Sequence, residues 1–335
     1  MDTATTASKT AYLCRMNELN WGIIGCGNVT EVKSGPAFNK VPHSHLHAVM
    51  RRDAALAADY AKRHGVPQWY ADAAQLINDP VVNAIYIATP PASHEEYALA
   101  AIAAGKPVYL EKPMALTAAA ARRIATAAKA NNVKLSVAHY RRGQPLYQYV
   151  RKCVRENRLG NIRAVTLRLH KPFPENAGWH VDPKVSGGGL FHDLAPHQLD
   201  ILYSLFGRPR ILSSSALNQQ QVYPVPDLVA GHLLFNAQIL ADGLWTFGAP
   251  AEADTDTCEI VGTAGSISFN FFGHPACLLR IGDHEEKIVF ESLAHVQQPM
   301  IAAVSAFFRG EGDNPCTGEE GAEVMEIIEE LTQTD

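Results

Sequence analysis

The stretch Trp21-Gly22-Ile23-Ile24-Gly25-Cys26-Gly27-Asn28-Val29-Thr30 constrains the chain more than any other, because an apolar run ends there in two glycines one residue apart. It reads as a buried strand that enters a nucleotide-binding turn. Gly25 permits the turn, and Gly27 lets a pyrophosphate approach the backbone. Asn28 and Val29 open a helix whose free N–H groups and positive dipole end suit phosphate. Thr30 stands where the fingerprint has a third Gly or Ala, and spaced glycines also occur in ordinary strand-to-helix turns, so downstream sequence has to support the assignment.

Support comes at the expected distance. Leu46 to Met50 reads as a second strand, and Arg51-Arg52 follow it where such domains meet the adenosine ribose. An NAD site usually presents Asp or Glu there. Two planar, permanently charged guanidiniums suit a 2′-phosphate instead, so the expected cofactor is NADP(H), with NAD(H) the alternative. The bland reading is that both arginines merely open a solvated helix, Asp53 to His64.

The 335 residues, 47% of them hydrophobic, suffice for two domains, and the net charge of −5 without a dense Lys/Arg block argues against nucleic acid or an anionic membrane as partner. A small molecule is expected instead. No apolar run is long enough to span a bilayer, and residues 1–15 lack the apolar segment of a secretory signal. Residues 1–18 are read as an N-terminal extension outside the folded body. The six cysteines form no C-x-x-C pair, which speaks against a structural zinc or a disulfide framework and for a reducing cytoplasm.

From Asn20 to His139, apolar runs alternate with alanine-rich helical stretches, the pattern of a parallel sheet covered on both faces. Strands are expected at Trp21 to Gly25, Leu46 to Met50, Ala84 to Ala88, Pro107 to Leu110 and Lys134 to Ala138, with helices at Asp53 to His64, His94 to Ala104 and Ala118 to Ala130. The pattern changes after Tyr140. A helix from Pro145 to Asn157 precedes strands with half-buried alternation: Ile162 to His170, Ile211 to Leu217, Gly231 to Leu240, Gly243 to Phe247, Thr257 to Gly262, Ser266 to Phe271, Cys277 to Ile281 and Lys287 to Phe290. Gly262 to Gly265 reads as a hairpin turn, and helices Met300 to Phe308 and Glu319 to Leu331 close the chain. The expected division is a dinucleotide-binding domain over 19–140 and an α+β domain with an open, mostly antiparallel sheet over 141–335.

Three constellations fall at strand ends or helix starts, where open α/β sheets place ligands. The first is Thr89-Pro90-Pro91-Ala92-Ser93-His94, whose prolines force an extended turn and leave His94 near a helix N-terminus. It reads equally as a capping loop with a surface histidine. Glu111-Lys112-Pro113 is the second; a lysine before proline cannot simply enter a helix, so its side chain can be held over the cleft. By itself it would pass for a surface lysine. In the third, Ser186 to Asp200, three glycines precede a helix carrying Asp193, His197 and Asp200 on one face. Pro196 predicts a break near Ala195, with His197 in the first turn of the restarted helix, where the dipole favours the neutral imidazole that a general base needs. The alternative is a hydrogen-bonded core histidine.

Taken together, these stretches resemble the glucose-fructose oxidoreductase, inositol dehydrogenase and rhizopine catabolism family, Gfo/Idh/MocA. The motifs are G-C-G-N at Gly25 to Asn28, T-P-P-x-x-H at Thr89 to His94, E-K-P at Glu111 to Pro113, G-G-G-x-x-x-D-x-x-x-H-x-x-D at Gly187 to Asp200, and E-I-V-G-T-A-G-S at Glu259 to Ser266. The resemblance runs from Asn20 to about Leu331. It implies a Rossmann domain followed by an open sheet through which a homodimer or homotetramer forms, and a nicotinamide-dependent oxidoreductase acting on sugars or cyclitols. It also implies that Lys112, Asp193 and His197 line the reacting centre, with a cis Lys112-Pro113 peptide. Thr30, and Ala195-Pro196 before the histidine, depart from the pattern.

Cofactor contacts are thus expected from Gly25, Gly27, Asn28, Val29, Arg51 and Arg52, and from Thr89, Pro90, His94, Glu111 and Lys112. Tyr140, Arg141, Trp179 and His180 are expected beside the substrate, since aromatic and guanidinium groups suit a polyol, although a domain junction would contain them too. His43, His45 and His47 alternate as metal ligands on a strand could, but Pro42 starts them in a loop, and no metal is expected. The expected reaction is hydride transfer to or from a secondary alcohol or ketone of a sugar-like substrate. His197 exchanges the proton, Lys112 stabilises negative charge and Asp193 orients groups, with the first two roles interchangeable. A dinucleotide-dependent sensor without turnover, or a glycosidase using a tightly held NAD, are the alternatives.

Overall fold

The computed structural model describes residues 17–333, so the expected N-terminal extension lies outside the described residues up to residue 16. Six parallel strands, β1 (Leu19–Ile24), β2 (Ser44–Met50), β3 (Gln68–Tyr70), β4 (Ala84–Ile87), β5 (Val108–Leu110) and β6 (Leu135–Val137), form the first sheet, in the order β3-β2-β1-β4-β5-β6. That is the doubly wound order of dinucleotide-binding folds. The chain reverses direction across the sheet between β1 and β4, which opens a crevice beyond their carboxyl ends. Helices α1 (Asn28–Val32), α2 (Ala54–His64), α3 (Ala73–Asn78), α4 (His94–Ala103) and α5 (Ala118–Ala130) make the crossovers. Their ends follow from local chemistry. Asp53 accepts from the Leu56 N–H to start α2, Gly65 at φ 65° ends it, and Thr117 accepts from the Ala120 N–H to start α5. Sequence patterning missed β3 and α3. Three residues on a sheet edge with Trp69 44% exposed, and a six-residue helix capped by Asp72, are too short to display a period.

Beyond β6 come α6 (Pro145–Arg155), β7 (Ile162–Lys171), the short α7 (Pro183–Ser186) and α8 (Gly189–Phe206). Strands β8 (Arg210–Leu217), β9 (Leu228–Phe235), β10 (Ile239–Phe247), β11 (Thr255–Gly262), β12 (Gly265–Phe269), β13 (Ala276–Ile281) and β14 (His284–Val289) join β7 in a second sheet of eight, ordered β14-β13-β12-β11-β7-β10-β9-β8. All its pairings are antiparallel except β7 with β10. The single strand expected over Gly231 to Leu240 is in fact a hairpin. Asn236 and Ala237 adopt φ of 48° and 56°, so a tight turn forms with no glycine to signal it. On the inner face Val165, Leu167, Leu169, Trp245 and Ile260 are buried, while Arg168, Leu240 and Val261 point outward.

Helices α9 (Gln298–Arg309) and α10 (Gly318–Thr332) return to the first sheet. Phe308 of α9 stacks on Trp21 of β1, with ring centroids 5.5 Å apart, and a capping box between Thr317 and Glu320 starts α10. No described helix is long and apolar enough to cross a membrane.

One expectation about α8 fails. Pro196 lies inside a continuous helix of 18 residues, with no break at Ala195. A proline deletes one N–H···O bond and crowds the preceding turn. Here Ala195, His197, Gln198, Leu199, Asp200, Ile201 and Leu202 are all buried around it, so tertiary packing holds the helix through the defect.

Candidate active site

A cleft of about 730 Å³ opens at the β1/β4 crevice and is walled on its other side by α8 and the loop after β12. At its floor Gly25 has φ 96°, and a Cβ there would stand 2.8 Å from the Thr89 amide nitrogen, so only glycine lets the loops after β1 and β4 meet. A Cβ at Gly27 would meet nothing nearer than 3.9 Å, which leaves room above the turn. The N–H groups of Thr30 and Glu31 bond back to the Gly27 carbonyl, whereas those of Gly27, Asn28 and Val29 have no acceptor among the described residues. Three successive free donors fit a pyrophosphate. Because α1 has only five residues, these donors matter more than its dipole. Thr30 replaces the third glycine by turning inward; its hydroxyl donates to the Gly27 carbonyl at 2.8 Å, and its own carbonyl accepts from Tyr60.

Arg51 and Arg52 line the same cleft at the end of β2. The Arg51 Nη1 donates to the Cys26 carbonyl at 3.3 Å, Arg52 is exposed, and neither is paired with a carboxylate among the described residues. Thr89 and Pro90 form the opposite lip, where Ser93 donates to the Thr89 hydroxyl at 2.9 Å. His94 lies outside the lining. It is fully buried behind the lip, its ring nitrogens 3.0 Å from the Pro113 carbonyl and 2.7 Å from the Thr89 carbonyl, and burial lowers its pKa to about 4. The neutral ring has one N–H, so it donates to one of these carbonyls and packs against the other from beneath the lip.

Glu111 is buried, and its Oε1 accepts from Tyr86 and from Gln297, both at 2.6 Å. Gln297, just before α9, thereby ties the C-terminal segment to the end of β5. The Lys112-Pro113 peptide is cis. Lys112 Nζ donates to Asp193 Oδ1 at 2.6 Å and to the Asp193 carbonyl at 2.8 Å. Burial alone would lower the lysine pKa and raise that of the aspartate. The ion pair outweighs it, so Lys112 is held above its usual value and Asp193 below.

His197 packs edge-on against Tyr140 and Phe272, with centroids 5.2 and 5.8 Å apart. Burial, followed by the charges of Lys112 and Arg141, pushes its pKa well below the usual imidazole value. The ring is therefore neutral at physiological pH, but through desolvation and not through a helix dipole, since it stands more than two turns into α8. Its Nδ1 is sealed off without a partner. Asp200, on the same helix face, is not part of the cleft. It accepts from Arg142 Nη2 at 2.6 Å and from Arg142 Nε at 3.0 Å in a buried pair that fastens α8 to the chain beyond β6.

Tyr140, Arg141, Trp179 and His180 complete the wall. Trp179 and His180 stack with centroids 3.9 Å apart, and His180 Nε2 lies 3.9 Å from Asp193 Oδ2. Every residue singled out from the sequence as a contact thus lines one cleft, His94 excepted. Sequence reasoning passed over Lys33, Phe272 and Gln297, which also line it. Lys33 follows the glycine turn within one helical turn of Val29 and was open to discovery by spacing. Phe272 and Gln297 come from distant loops with no local signal. The alternating histidines bind no common centre: His43 and His45 each contact Glu18, at 2.8 and 3.2 Å, and His47 faces Asp79 at 3.4 Å. No cluster of metal-ligating residues occurs among the described residues.

Chemically, the cleft offers a dinucleotide-sized floor with free N–H donors. It also offers a charged lysine and a neutral imidazole beside one another, sheltered from bulk water. Residues 19–139 match a family described as oxidoreductase family, NAD-binding Rossmann fold, and residues 147–268 match the GFO/IDH/MocA C-terminal domain. An oxidoreductase of Formosa agariphila is 42% identical over 319 residues, covering 93% of this chain and 98% of its own. The 1,5-anhydro-D-fructose reductase of Ensifer adhaerens is 29% identical, covering 90% of this chain and 91% of its own. Among solved structures, levoglucosan dehydrogenase in complex with NADH and levoglucosan superposes with a TM-score of 0.84 at 22% identity, covering 94% of this chain and 96% of its own, which is likeness of fold.

Proposed function

This chain belongs to the GFO/IDH/MocA oxidoreductase family, and from that premise we propose that it transfers a hydride between NADP(H) and a secondary alcohol or ketone carbon of a sugar- or cyclitol-like substrate. It is an oxidoreductase with a nicotinamide dinucleotide site; NADP(H), the substrate and the residue roles are our reading. The relatives named above, one a reductase of an anhydro sugar and one a dehydrogenase holding an anhydro sugar, support the substrate class.

The observation that carries the reading is the meeting of the Lys112–Asp193 ion pair with a desolvated His197 in the cleft that begins at the glycine turn. The nicotinamide, when bound, supplies or accepts the hydride. Gly27, Asn28 and Val29 hold the pyrophosphate by their N–H groups, with Thr89 and Pro90 across from them. Arg51 and Arg52 take the 2′-phosphate, a role favoured by their lack of carboxylate partners. Lys112 is charged and spends two bonds on Asp193, so its remaining N–H is free to meet the reacting oxygen and stabilise negative charge on it. Asp193 positions that ammonium and keeps it protonated. His197, neutral and close by, takes or returns the hydroxyl proton. Glu111 acts at one remove by fixing the backbone N–H of Lys112, which donates to its Oε2 at 3.1 Å.

We further infer self-association through the outer face of the second sheet, where Leu240 and Val261 stand exposed. Titration of the protein with NADPH and NADH, followed by initial rates on a panel of sugars, cyclitols and their keto forms, tests the function. Tighter NADPH binding with turnover of a panel member is expected. Equal affinities would overturn the NADP(H) assignment, and cofactor binding without turnover of any panel member would favour a sensor.

A further inference from the structure

The substrate side of the cleft contains a cation to which the mechanism above gives no task. Arg141 sits in the single 3-10 turn Tyr140–Gly143 after β6 and is 9% exposed. Its Nη1 donates to the Tyr147 hydroxyl at 3.2 Å, and its Nε is sealed off without a partner. Among the described residues Nη2 has no acceptor and no carboxylate lies within ion-pair distance of the guanidinium, although the residue lines the open cleft. Aromatic rings surround it, with Phe272 nearest at 4.8 Å and Tyr140 at 5.6 Å. Ring faces offset part of the burial cost of a cation but accept no hydrogen bond in the plane of the guanidinium.

The neighbouring residue provides the internal comparison. Arg142 is equally buried, and it is answered by Asp200 at 2.6 Å and by Glu320 at 3.1 Å. Where a buried guanidinium is structural, this fold supplies carboxylates to it. Asp256, whose carboxyl senses the charge of Arg141, instead turns its Oδ2 to the backbone N–H of Phe271 at 2.8 Å and lies outside ion-pair range of Arg141. Burying a permanent charge without a counter-charge is costly, so an unanswered guanidinium facing a cleft marks where an anion binds.

The remaining charges agree. On the substrate side Glu111 is occupied by Tyr86 and Gln297, and Asp193 by Lys112. Lys33, exposed at the rim, is unpaired among the described residues, and its charge is felt at both Asp193 and His197. Two free cations therefore flank the reacting groups of a chain whose net charge is −5.

We propose that the substrate is a sugar acid, and that Arg141 receives its carboxylate through the free edge of the guanidinium, with Lys33 drawing the anion in. This rests on the oxidoreductase reading and names its substrate class. A planar carboxylate matches the planar donor edge, which a neutral polyol would leave unsatisfied.

The test uses the full chain saturated with NADP(H). D-glucuronate, D-galacturonate and 5-keto-D-gluconate are compared with D-glucose, D-galactose and L-sorbose, by calorimetric binding and by initial rates, with glucose 6-phosphate as the phosphate arm. Acids should be favoured over their neutral partners by about tenfold or more. Arg141→Gln should raise Kd and KM for the acids by about 10- to 100-fold more than for their neutral partners, with NADP(H) affinity little changed. Arg141→Lys should restore part of the loss. Neutral sugars bound as well as acids, no binding of any acid at about 10 mM, preference for the phosphate, or equal losses for acid and neutral sugars in Arg141→Gln would each overturn the proposal. Should the variant fail to fold, the panel on the unaltered protein still decides. The two readings fail separately: turnover of a neutral sugar without acid binding sinks this one, and acid binding without any turnover sinks the other.

Discussion

Replacing Lys112 with Met retains most of the side-chain length and removes the charge, which isolates what the ion pair does. The substitution deletes the bonds from Nζ to Asp193 Oδ1 and to the Asp193 carbonyl, and leaves the carboxylate with only His180 at 3.9 Å, too far for a hydrogen bond. Orphaning a fully buried charge costs about 3–5 kcal/mol. With Lys112 11% and Asp193 24% exposed, water screens part of this, and a loss of about 2–3 kcal/mol is expected. Asp193→Asn in the same background removes the stranded charge and should return about 1–2 kcal/mol. Equilibrium urea unfolding followed by tryptophan fluorescence measures both. The pH dependence has a definite sign. In the unaltered chain Lys112 holds the Asp193 carboxyl below its ordinary 3.8, so the pair's stabilisation is present above that value and fades as pH falls through the lower folded one. In Lys112→Met burial, the largest influence on this carboxyl, is opposed only by the weaker charges of His180 and Lys33 and raises its pKa, so protonation relieves the strain and the deficit shrinks as pH falls from 7.5 to 5. Lys112→Met and the double variant equally stable within about 0.5 kcal/mol, or a deficit that does not change with pH, would refute the coupling.

His197→Asn should keep the fold and NADP(H) affinity and lower kcat by about 10² or more; near-normal kcat would assign the histidine to packing. The kcat/KM profile of the unaltered enzyme should lack an imidazole limb near pH 6.5, because desolvation keeps His197 neutral, and a limb there that disappears in His197→Asn would contradict this. Arg51→Asp should shift the NADP(H)-to-NAD(H) affinity ratio by about tenfold or more toward NAD(H), as read by fluorescence titration. Asp200→Ala should destabilise the fold by about 2–3 kcal/mol, since it removes the buried partner of Arg142 and leaves it Glu320 alone as counter-charge; an unchanged stability would refute the structural role of the pair. Burial lowers the pKa of His94, His139 and His192 to about 4, so the unfolded chain takes up protons that the folded chain refuses. Stability should therefore fall with pH between about 6.5 and 4, by on the order of 1 kcal/mol per pH unit for each histidine, and a flat stability profile there would refute it.

Local pattern was enough for most of the first sheet, because parallel strands buried on both faces are continuous apolar runs and their crossover helices carry caps. The glycine turn, Arg51-Arg52 and Glu111-Lys112 were legible for a related reason: doubly wound sheets place ligands at strand ends, so position along the chain already means position in space, whereas Asp193 and His197 were read from their helical spacing on α8. Short or unmarked features were not legible. The turn at Asn236-Ala237 has no glycine, and β3 is too brief to show alternation.

Pro196 and the histidines mark the boundary between the two kinds of information. Sequence named His197 as a neutral base but attributed its neutrality to a helix start; the tertiary structure runs α8 straight through the proline and neutralises the ring by burial beside Lys112 and Arg141. Asp193 and Asp200 share a helix face and cannot be told apart by spacing, yet one meets a lysine in the cleft and the other a buried arginine. His94 carries a contact motif and is turned inward. The sequence by itself determined which residue types stand at which strand ends, since backbone pattern is local. Only tertiary structure decided which charges are answered and which, like Arg141, are not, because desolvation and pairing depend on neighbours brought from elsewhere in the chain.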